Sequence, residues 1–437
     1  MRVWVIKSGE PLPSDGANPR LFRTGMLARR LATEGHEVTW WSATFDHAAK
    51  RFRFPRETEV AVSPGLRLVL LHSMGYRRNV SLRRIADHRQ VARAFLRRAA
   101  AEPRPDVILC AFPTIELCRA ATRFGRAHGI PVALDVRDLW PDIFYDAVPG
   151  WAKPLGKAVL GRFERAVDRA ARDATAILAT SPTFVRWGLA HAGREATPLD
   201  RDFPLAYEET PPLPEDVARA EHFWDERGVD GKAEFVACFF GALSPRYELD
   251  ALVDAARRLL AQPRPFRFVI CGNGDFQDEL ARLAADCPNV TLPGWVGAAE
   301  IWTLMRRASV GVVPYPATVD YMANIPNKAV EYLSAGLPVV SSLPGELRAL
   351  LAEEECGVTY PNHDGAALAA ALLELHDDPA RRARMRERSR AVFARRFRAE
   401  AVLGEMAEHL ERIARAGARG AARRPVEAAM AGASRVP

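Results

Sequence analysis

No stretch of this chain approaches the ~20 consecutive apolar residues of a membrane-spanning helix. The opening strand-like run, Met1–Lys7, is too short for the apolar core of a secretory leader. The expectation is a cytoplasmic protein, at most peripheral on the inner face of the cell membrane. Cysteine is sparse: six residues, at 110, 118, 238, 271, 287 and 356, with no Cys-x-x-Cys pair. Such scatter offers neither a disulfide framework nor a zinc site, and reads as buried free thiols in a reducing compartment. Nucleic-acid motifs are missing too: no zinc-finger spacing, no ribonucleoprotein aromatics, no basic heptads. The net charge of +7 therefore points to no nucleic-acid partner; it invites an anionic membrane surface, or reflects an arginine-rich coding bias. The dinucleotide fingerprint also fails. Gly272-Asn273-Gly274 lacks its third glycine, since Gln277 stands there, and the run is not at the first strand.

What is present is a repeated alternation. Strand-like runs fall at Val3–Ile6, Glu37–Trp41, Arg67–Leu71, Val107–Cys110, Val132–Asp135 and Ala176–Ala179, then at Phe235–Phe240, Arg267–Cys271, Val290–Leu292, Val310–Val313 and Pro338–Ser341, with helix-like runs between them. This rhythm predicts an α/β protein with parallel sheets covered by helices on both faces. A chain of 437 residues exceeds one typical core, and two such series predict two Rossmann-like, doubly wound domains facing across a cleft. Ligands of such sheets sit at the carboxyl ends of the strands. The cluster Pro211-Pro212-Leu213-Pro214 marks the boundary, giving domains over 1–207 and 215–395. Residues 417–437, rich in Ala, Gly and Arg without apolar periodicity, read as a disordered tail.

Several stretches carry candidate chemistry. In 321–342, Pro326 fits a helix start, Gly336 the residue after the helix end, and Leu337–Ser341 a buried strand. A helix start offers free N–H groups to a phosphate. Lys328 and Glu331, three apart, lie on one helix face. They either hold a diphosphate and a ribose or form an ordinary surface ion pair. The loop Asp135-Val136-Arg137-Asp138-Leu139-Trp140-Pro141-Asp142 lies at a carboxyl strand end. Asp138 or Asp142 can orient an acceptor hydroxyl or take its proton, and Arg137 can hold a carboxylate or phosphate. The rival reading is an Arg–Asp pair that braces the loop, with Trp140 in the core. After the first strand, Gly16 marks a loop, Asn18 a cap and Pro19 a helix start, with Arg20 and Arg23 either facing an acceptor phosphate or simply solvated. The segment Arg77–Arg104 is basic with interleaved apolar residues, and reads as a membrane-surface helix or a solvated helix packed by one face. Ser181-Pro182 reads as helix capping. Asp200-Arg201-Asp202 has the spacing of a divalent-ion site but reads as a solvated loop; no metal is expected.

Two of these stretches carry a resemblance. Pro326-Asn327-Lys328 followed by Glu331-Tyr332, and Asp135-Val136-Arg137-Asp138-Leu139-Trp140-Pro141, resemble family 4 glycosyltransferases, within them the O-antigen and capsule branch that includes N-acetylfucosamine transferases. The resemblance covers roughly residues 1–415 and implies the GT-B fold, its last helix (396–416) crossing back to the first domain. It implies donor binding by the second domain through Gly241, Gly272, Gly274, Asn324, Asn327 and Glu331, with Trp295-Val296 bordering the base. Acceptor binding by the first domain would use Gly16, Arg20, Arg137 and Asp142, and the catalytic set would be Asp138, Lys328 and Arg246. The chain departs from the family at Ala323, where many members carry a sugar-contacting Glu, and at Ala242 and Tyr247, in place of a diphosphate-binding Arg and Lys. Implied is retaining, metal-independent transfer of a sugar from a nucleotide-diphosphate donor, UDP-linked, to a glycan or lipid-linked acceptor in cell-envelope polysaccharide synthesis. No cofactor is needed, since the nucleotide-sugar is a substrate. A nucleotide-sugar epimerase and a non-catalytic GT-B subunit of a membrane assembly stand as alternatives.

Overall fold

The structure, a computed structural model, describes residues 1–16, 19–145, 153–231 and 234–433. The chain divides into two compact units, Met1–Pro204 with Val402–Pro437, and Leu205–Ala401. The last helix thus belongs with the first unit.

The first unit carries β1 (Arg2–Ile6), β2 (Glu37–Ala43), β3 (Phe45–Asp46), β4 (Arg51–Phe52), β5 (Thr58–Ser63), β6 (Leu66–Leu71), β7 (Val107–Phe112), β8 (Val132–Val136), β9 (Ala176–Ala179) and β10 (Arg201–Asp202). Its main sheet runs β10-β9-β8-β7-β1-β2-β6-β5, and β3 and β4 form a separate hairpin. Every pairing in the main sheet is parallel except that of β5 with β6. Central strands buried on both faces read as unbroken apolar runs; every residue of β7 is buried. The second unit carries β11 (Phe235–Phe240), β12 (Phe266–Cys271), β13 (Val290–Gly294), β14 (Val310–Val313), β15 (Val339–Ser341) and β16 (Gly357–Thr359), in the order β13-β12-β11-β14-β15-β16, all parallel. Each sheet has its first strand inside, flanked by strands wound in opposite directions, which makes a switch point at β1 and another at β11.

All eleven expected strands are present. The hairpin β3–β4, β5, β10 and β16 were not foreseen. β5 alternates half-buried and exposed residues at a sheet edge, while the others are two or three residues long. Three further expectations change. The first helix spans Arg23–Thr33, four residues beyond Pro19, because Arg23 is tied into the interior; Asn18 lies outside the described residues. The Asp200 carboxylate is not solvated, although Arg201 beside it is exposed. The Asp200 side chain is fully buried. It accepts hydrogen bonds from Ile177 N–H (2.7 Å), Thr197 N–H (2.8 Å), the Thr197 hydroxyl (2.8 Å) and both terminal nitrogens of Arg194 (2.6 and 2.7 Å). Burial works against that carboxylate, but Arg194 and the N–H donors outweigh it and hold it below the usual range. Its oxygens join β9 to β10. Residues 417–433 of the supposed tail are helical, since one helix runs Ala399–Ala433; 434–437 lie outside the described residues. Alanine is the best helix former, and extending a formed helix needs no new nucleus.

The basic segment forms the helix Leu82–Ala99, with the Ser81 hydroxyl accepting from Arg84 N–H and Val91 and Phe95 on its buried side. Among the described residues no helix is long and apolar enough to cross a membrane. All six cysteines are free and buried; burial pushes the Cys271 thiol up to about 12, so it stays protonated and unreactive at neutral pH.

Candidate functional site

In the second unit, the candidate residues gather at the carboxyl edge of the sheet. The helix Asn327–Ser334 begins after Pro326, whose carbonyl accepts from Ala329 N–H at 3.0 Å. It ends in a left-handed Gly336 (φ +70°), with Gly336 N–H bonded to Leu333 O (3.0 Å) and Leu337 N–H to Tyr332 O (2.9 Å). These are the two bonds of a Schellman cap. The helix is also pinned at mid-length. The Tyr332 ring lies where a side chain on Gly311 would be, 2.3 Å from a Cβ placed there, and its hydroxyl donates to Cys238 O at 3.2 Å.

On this fixed helix Lys328 Nζ stands 3.3 Å from Glu331 Oε2. Glu331 is buried, while Lys328 is partly open to solvent. The ammonium also lies 4.6 Å from the centre of the Phe240 ring. Next to Phe240, Gly241 leaves room for the Lys328 stem, whose Cε is 3.4 Å from where a Cβ would sit. Gly272 (φ +142°) and Gly274 (φ +157°) serve loop packing: a Cβ would come within 1.8 Å of Gly241 O at the first and 2.2 Å of Leu243 O at the second. Leu243 N–H donates to Asn273 O (2.9 Å) and Gly241 N–H to Cys271 O (3.0 Å), which locks the two strand-end loops together. Asn327 is exposed at the helix start. Asn324, on the preceding loop, has a buried side-chain Oδ1 with no hydrogen-bond partner among the described residues.

The residue at 247 belongs to an aromatic cluster that sequence reasoning missed. Tyr247 stacks on Tyr315 (4.6 Å between centroids, 21° between planes), and Tyr315 lies 4.9 Å from Tyr321. The Arg246 guanidinium is exposed, 5.9 Å from the centre of the Tyr321 ring. Burial first, and the neighbouring Tyr247 second, push the Tyr315 and Tyr321 hydroxyls above their ordinary value, so both remain donors at neutral pH. The signal was a Tyr at 247 with Tyr315 and Tyr321 some 70 residues later, a separation at which contact cannot be read from spacing.

In the first unit, the charged loop turns inward. Asp135 is fully buried and receives Arg23 through two nitrogens, at 3.0 and 3.2 Å. Arg137 Nε reaches the same carboxylate at 2.7 Å, and its Nη1 reaches Glu10 Oε1 at 2.5 Å and the Thr24 hydroxyl at 2.9 Å. Arg23 also donates to the carbonyls of Phe203 (2.8 Å) and Pro204 (3.0 Å). Burial disfavours the Asp135 carboxylate, but Arg137 and Arg23 outweigh it and hold it ionised below the usual range. Arg137 and Arg23 are therefore braces between strand ends, and the bracing alternative is the one the structure contains. Asp142 is engaged too, accepting from Trp187 Nε1 at 2.7 Å. Asp138 caps its own loop, accepting from Leu139 N–H at 2.8 Å, and is half-buried. Trp140 is not core: it is partly exposed, with the Arg84 guanidinium 4.7 Å from its ring and Phe144 at 5.0 Å. Ser181 caps its helix by accepting from Phe184 N–H at 3.2 Å.

The first loop is braced as well. Arg53 donates to both Asp15 oxygens, at 2.5 and 2.7 Å. Burial raises that carboxyl, yet the Arg53 bonds win and hold it low. At Gly16 a side chain would meet nothing within 4 Å, so packing does not require glycine there. Arg20 is exposed before the helix.

Comparison with known proteins agrees with this architecture. Residues 22–200 match the model of the glycosyl transferase 4-like domain, and residues 234–378 match that of glycosyl transferases group 1. The chain is similar to an amylovoran biosynthesis glycosyltransferase, AmsK, of Erwinia amylovora: 31% identical over 178 residues, 39% of this chain and 43% of the relative. It spans less than half the length of the curated relatives it matches first. Sucrose-phosphate synthase of Thermosynechococcus elongatus superposes over 95% of this chain and 99% of its own (TM-score 0.71, 18% identity). Anabaena Alr3699/HepE, solved in complex with UDP and glucose, superposes over 94% and 99% (TM-score 0.64, 16% identity). Two family models that together take in most of the chain, on two doubly wound parallel sheets, place it in a single family: the chain belongs to the family 4 glycosyltransferases, with the GT-B fold.

Proposed function

We propose that the chain transfers a sugar, with retention, from a UDP-linked donor to a glycan or lipid-linked acceptor in cell-envelope polysaccharide synthesis. The observation that carries this is the pairing of Lys328 with buried Glu331 at the start of the pinned helix Asn327–Ser334. Glu331 is the proposed partner of the ribose hydroxyls. Lys328 and the helix N–H groups meet the diphosphate, where the largest charge develops as the bond from the anomeric carbon to the diphosphate oxygen breaks. The acceptor oxygen forms the new bond to the anomeric carbon and its proton passes to the departing diphosphate oxygen; Asp138 is the proposed group to orient that hydroxyl. Asn324 Oδ1, an acceptor without a hydrogen-bond partner among the described residues, suits a hydroxyl of the donor sugar where the family's carboxylate is replaced by Ala323. Tyr hydroxyls 247 and 321 with Arg246 stand in for the missing Arg and Lys of the diphosphate site. No metal enters the scheme, since Asp200 is already saturated by Arg194, Thr197 and Ile177.

Membrane contact through the 77–104 segment belongs to the same proposal. Val80 and Leu82 are each 81% exposed at the start of the basic helix, beside Arg77, Arg78 and Arg83. Apolar anchors among cations suit an anionic bilayer.

The test is calorimetric binding of UDP, GDP, ADP and dTDP, with and without EDTA. Tight UDP binding that ignores EDTA and is lost in Glu331→Ala supports the proposal. Preference for another nucleotide replaces the donor class, and no binding at all favours a non-catalytic subunit.

A further inference from the structure

A cavity of about 510 Å³ opens between the helices Ile115–His128 and Lys153–Asp173 of the first unit. Its walls are Arg119, Arg123, Arg126, Arg169, Arg172 and Asp173, with Ala127. Both helices end here and lead into β8 and β9, so the cavity lies at the amino edge of the sheet, opposite the loops 8–16 and 137–142.

Two helices bring their arginines to one concave space. Arg119, Arg123 and Arg126 follow one another at four and three residues, which puts them on one face of their helix. Arg169 and Arg172 come from the facing helix at the same kind of interval. Like charges at these intervals repel, and several other helical arginines are offset by an acid four residues away: Arg30 by Glu34, Arg98 by Glu102, Arg258 by Asp254 and Arg415 by Glu411. Around the cavity the carboxylates are engaged elsewhere. Glu116 faces His88, Glu164 accepts from the Tyr145 hydroxyl, and Asp168 meets His191. Asp173 pairs with Arg126 at 2.6 Å. Arg119, Arg123, Arg169 and Arg172 have no ion pair among the described residues. A favourable helix-dipole contribution accounts for cations in the last turn, Arg126 and Arg172, but not for Arg119, Arg123 or Arg169.

We propose that this cavity is an anion site, separate from the transferase site, that takes a phosphate-bearing ligand. Several guanidinium forks converging on one concave space match the paired oxygens of phosphate groups. A mono-anion would leave most of the charge unmet, so the ligand carries at least two phosphate charges: a soluble diphosphate or polyphosphate, or the phosphate headgroups of an anionic lipid. Its place at the far edge of the sheet makes it a site for a regulator or an anchor and not for the reacting sugar.

The experiment uses the full chain with Lys328→Ala, so that the donor site does not mask the result. Inorganic pyrophosphate is titrated while the thermal unfolding midpoint is read. The same is done after adding Arg119→Ala, Arg123→Ala and Arg169→Ala, all at partly or fully exposed positions. Circular dichroism checks that the variant folds, and relief of repulsion predicts that its ligand-free midpoint does not fall. A saturable rise in the first protein, weakened by salt and absent from the second, supports a soluble ligand. In parallel, sedimentation with phosphatidylglycerol and with phosphatidylcholine vesicles reads the other source. Selective binding to the anionic vesicles that falls at least several-fold in the triple variant, with pyrophosphate inert, assigns the site to headgroups. Equal behaviour of the two proteins in both arms overturns the proposal.

Discussion

The two units place charged residues at equivalent carboxyl edges and use them oppositely. In the first, Arg23, Arg137, Asp135 and Glu10 satisfy one another, and Asp142 is held by Trp187. In the second, Lys328 pairs with Glu331 at 3.3 Å and stays partly open to solvent, Arg246 faces solvent, and Asn324 Oδ1 has no hydrogen-bond partner among the described residues. A charged motif at a strand end is thus no guide to chemistry by itself. What separates the two edges is exposure: Arg23 and Asp135 are buried, whereas Lys328 is partly open to solvent and Arg246 is exposed.

That contrast can be broken at its strongest point first. Asp135→Ala leaves two buried guanidinium groups without their shared partner, and breaking buried ion pairs costs about 3–5 kcal/mol. Chemical denaturation should show a loss of that order, with loss of fold at physiological temperature. Lys328→Gln keeps a donor for Glu331 but removes the charge; single-turnover assays should show turnover falling by about 10²–10³, the scale of one electrostatic donor, while the denaturation midpoint stays near that of the parent. If stability collapsed and turnover per folded molecule did not, the two units would be alike after all. Gly272→Ala forces a side chain against Gly241 O and should destabilise by about 1–3 kcal/mol, the range for a strained backbone position, with nucleotide affinity falling in step. Arg246→Ala removes an exposed cation, and donor KM should rise by no more than about fivefold, the scale of an exposed pair at up to ~1 kcal/mol.

The smallest effect concerns pH in the first unit. His47 accepts or donates at 2.7 Å to the Tyr76 hydroxyl, and burial first, then Lys50, lower it from 6.5 to about 4. Between those values the unfolded chain binds more protons than the folded one, so stability is complete above about 6.5 and declines as pH falls towards 4. The midpoint of thermal unfolding should drop less over this window in His47→Gln than in the parent.

How much was legible follows from distance along the chain. The eleven parallel strands were readable because buried strands are apolar runs with helices between them. Lys328 with Glu331 was readable because helix geometry fixes residues three apart. The Arg137 brace was not, because its partner Glu10 is 127 residues away and Thr24 is 113 residues away. Asp200 looked solvated because its five donors come from separate positions, one of them Ile177 on another strand. The tyrosine cluster joins residue 247 to the distant segment that carries Tyr315 and Tyr321, and neither propensity nor periodicity encodes such a meeting. Alanine content was read as disorder in the final segment where it builds helix.

The seat of Tyr332 under Gly311 bears on how such a protein could change its substrate. A helix capped at its end and bolted through its middle to β11 and β14 cannot shift register or tilt without unseating the sheet. Novelty is then confined to the approach, residues 314–326, which supplies Tyr315, Tyr321, Ala323 and Asn324 and crosses no strand. Grafting that approach alone from a relative should retune which sugar is accepted and leave the post it leads to undisturbed.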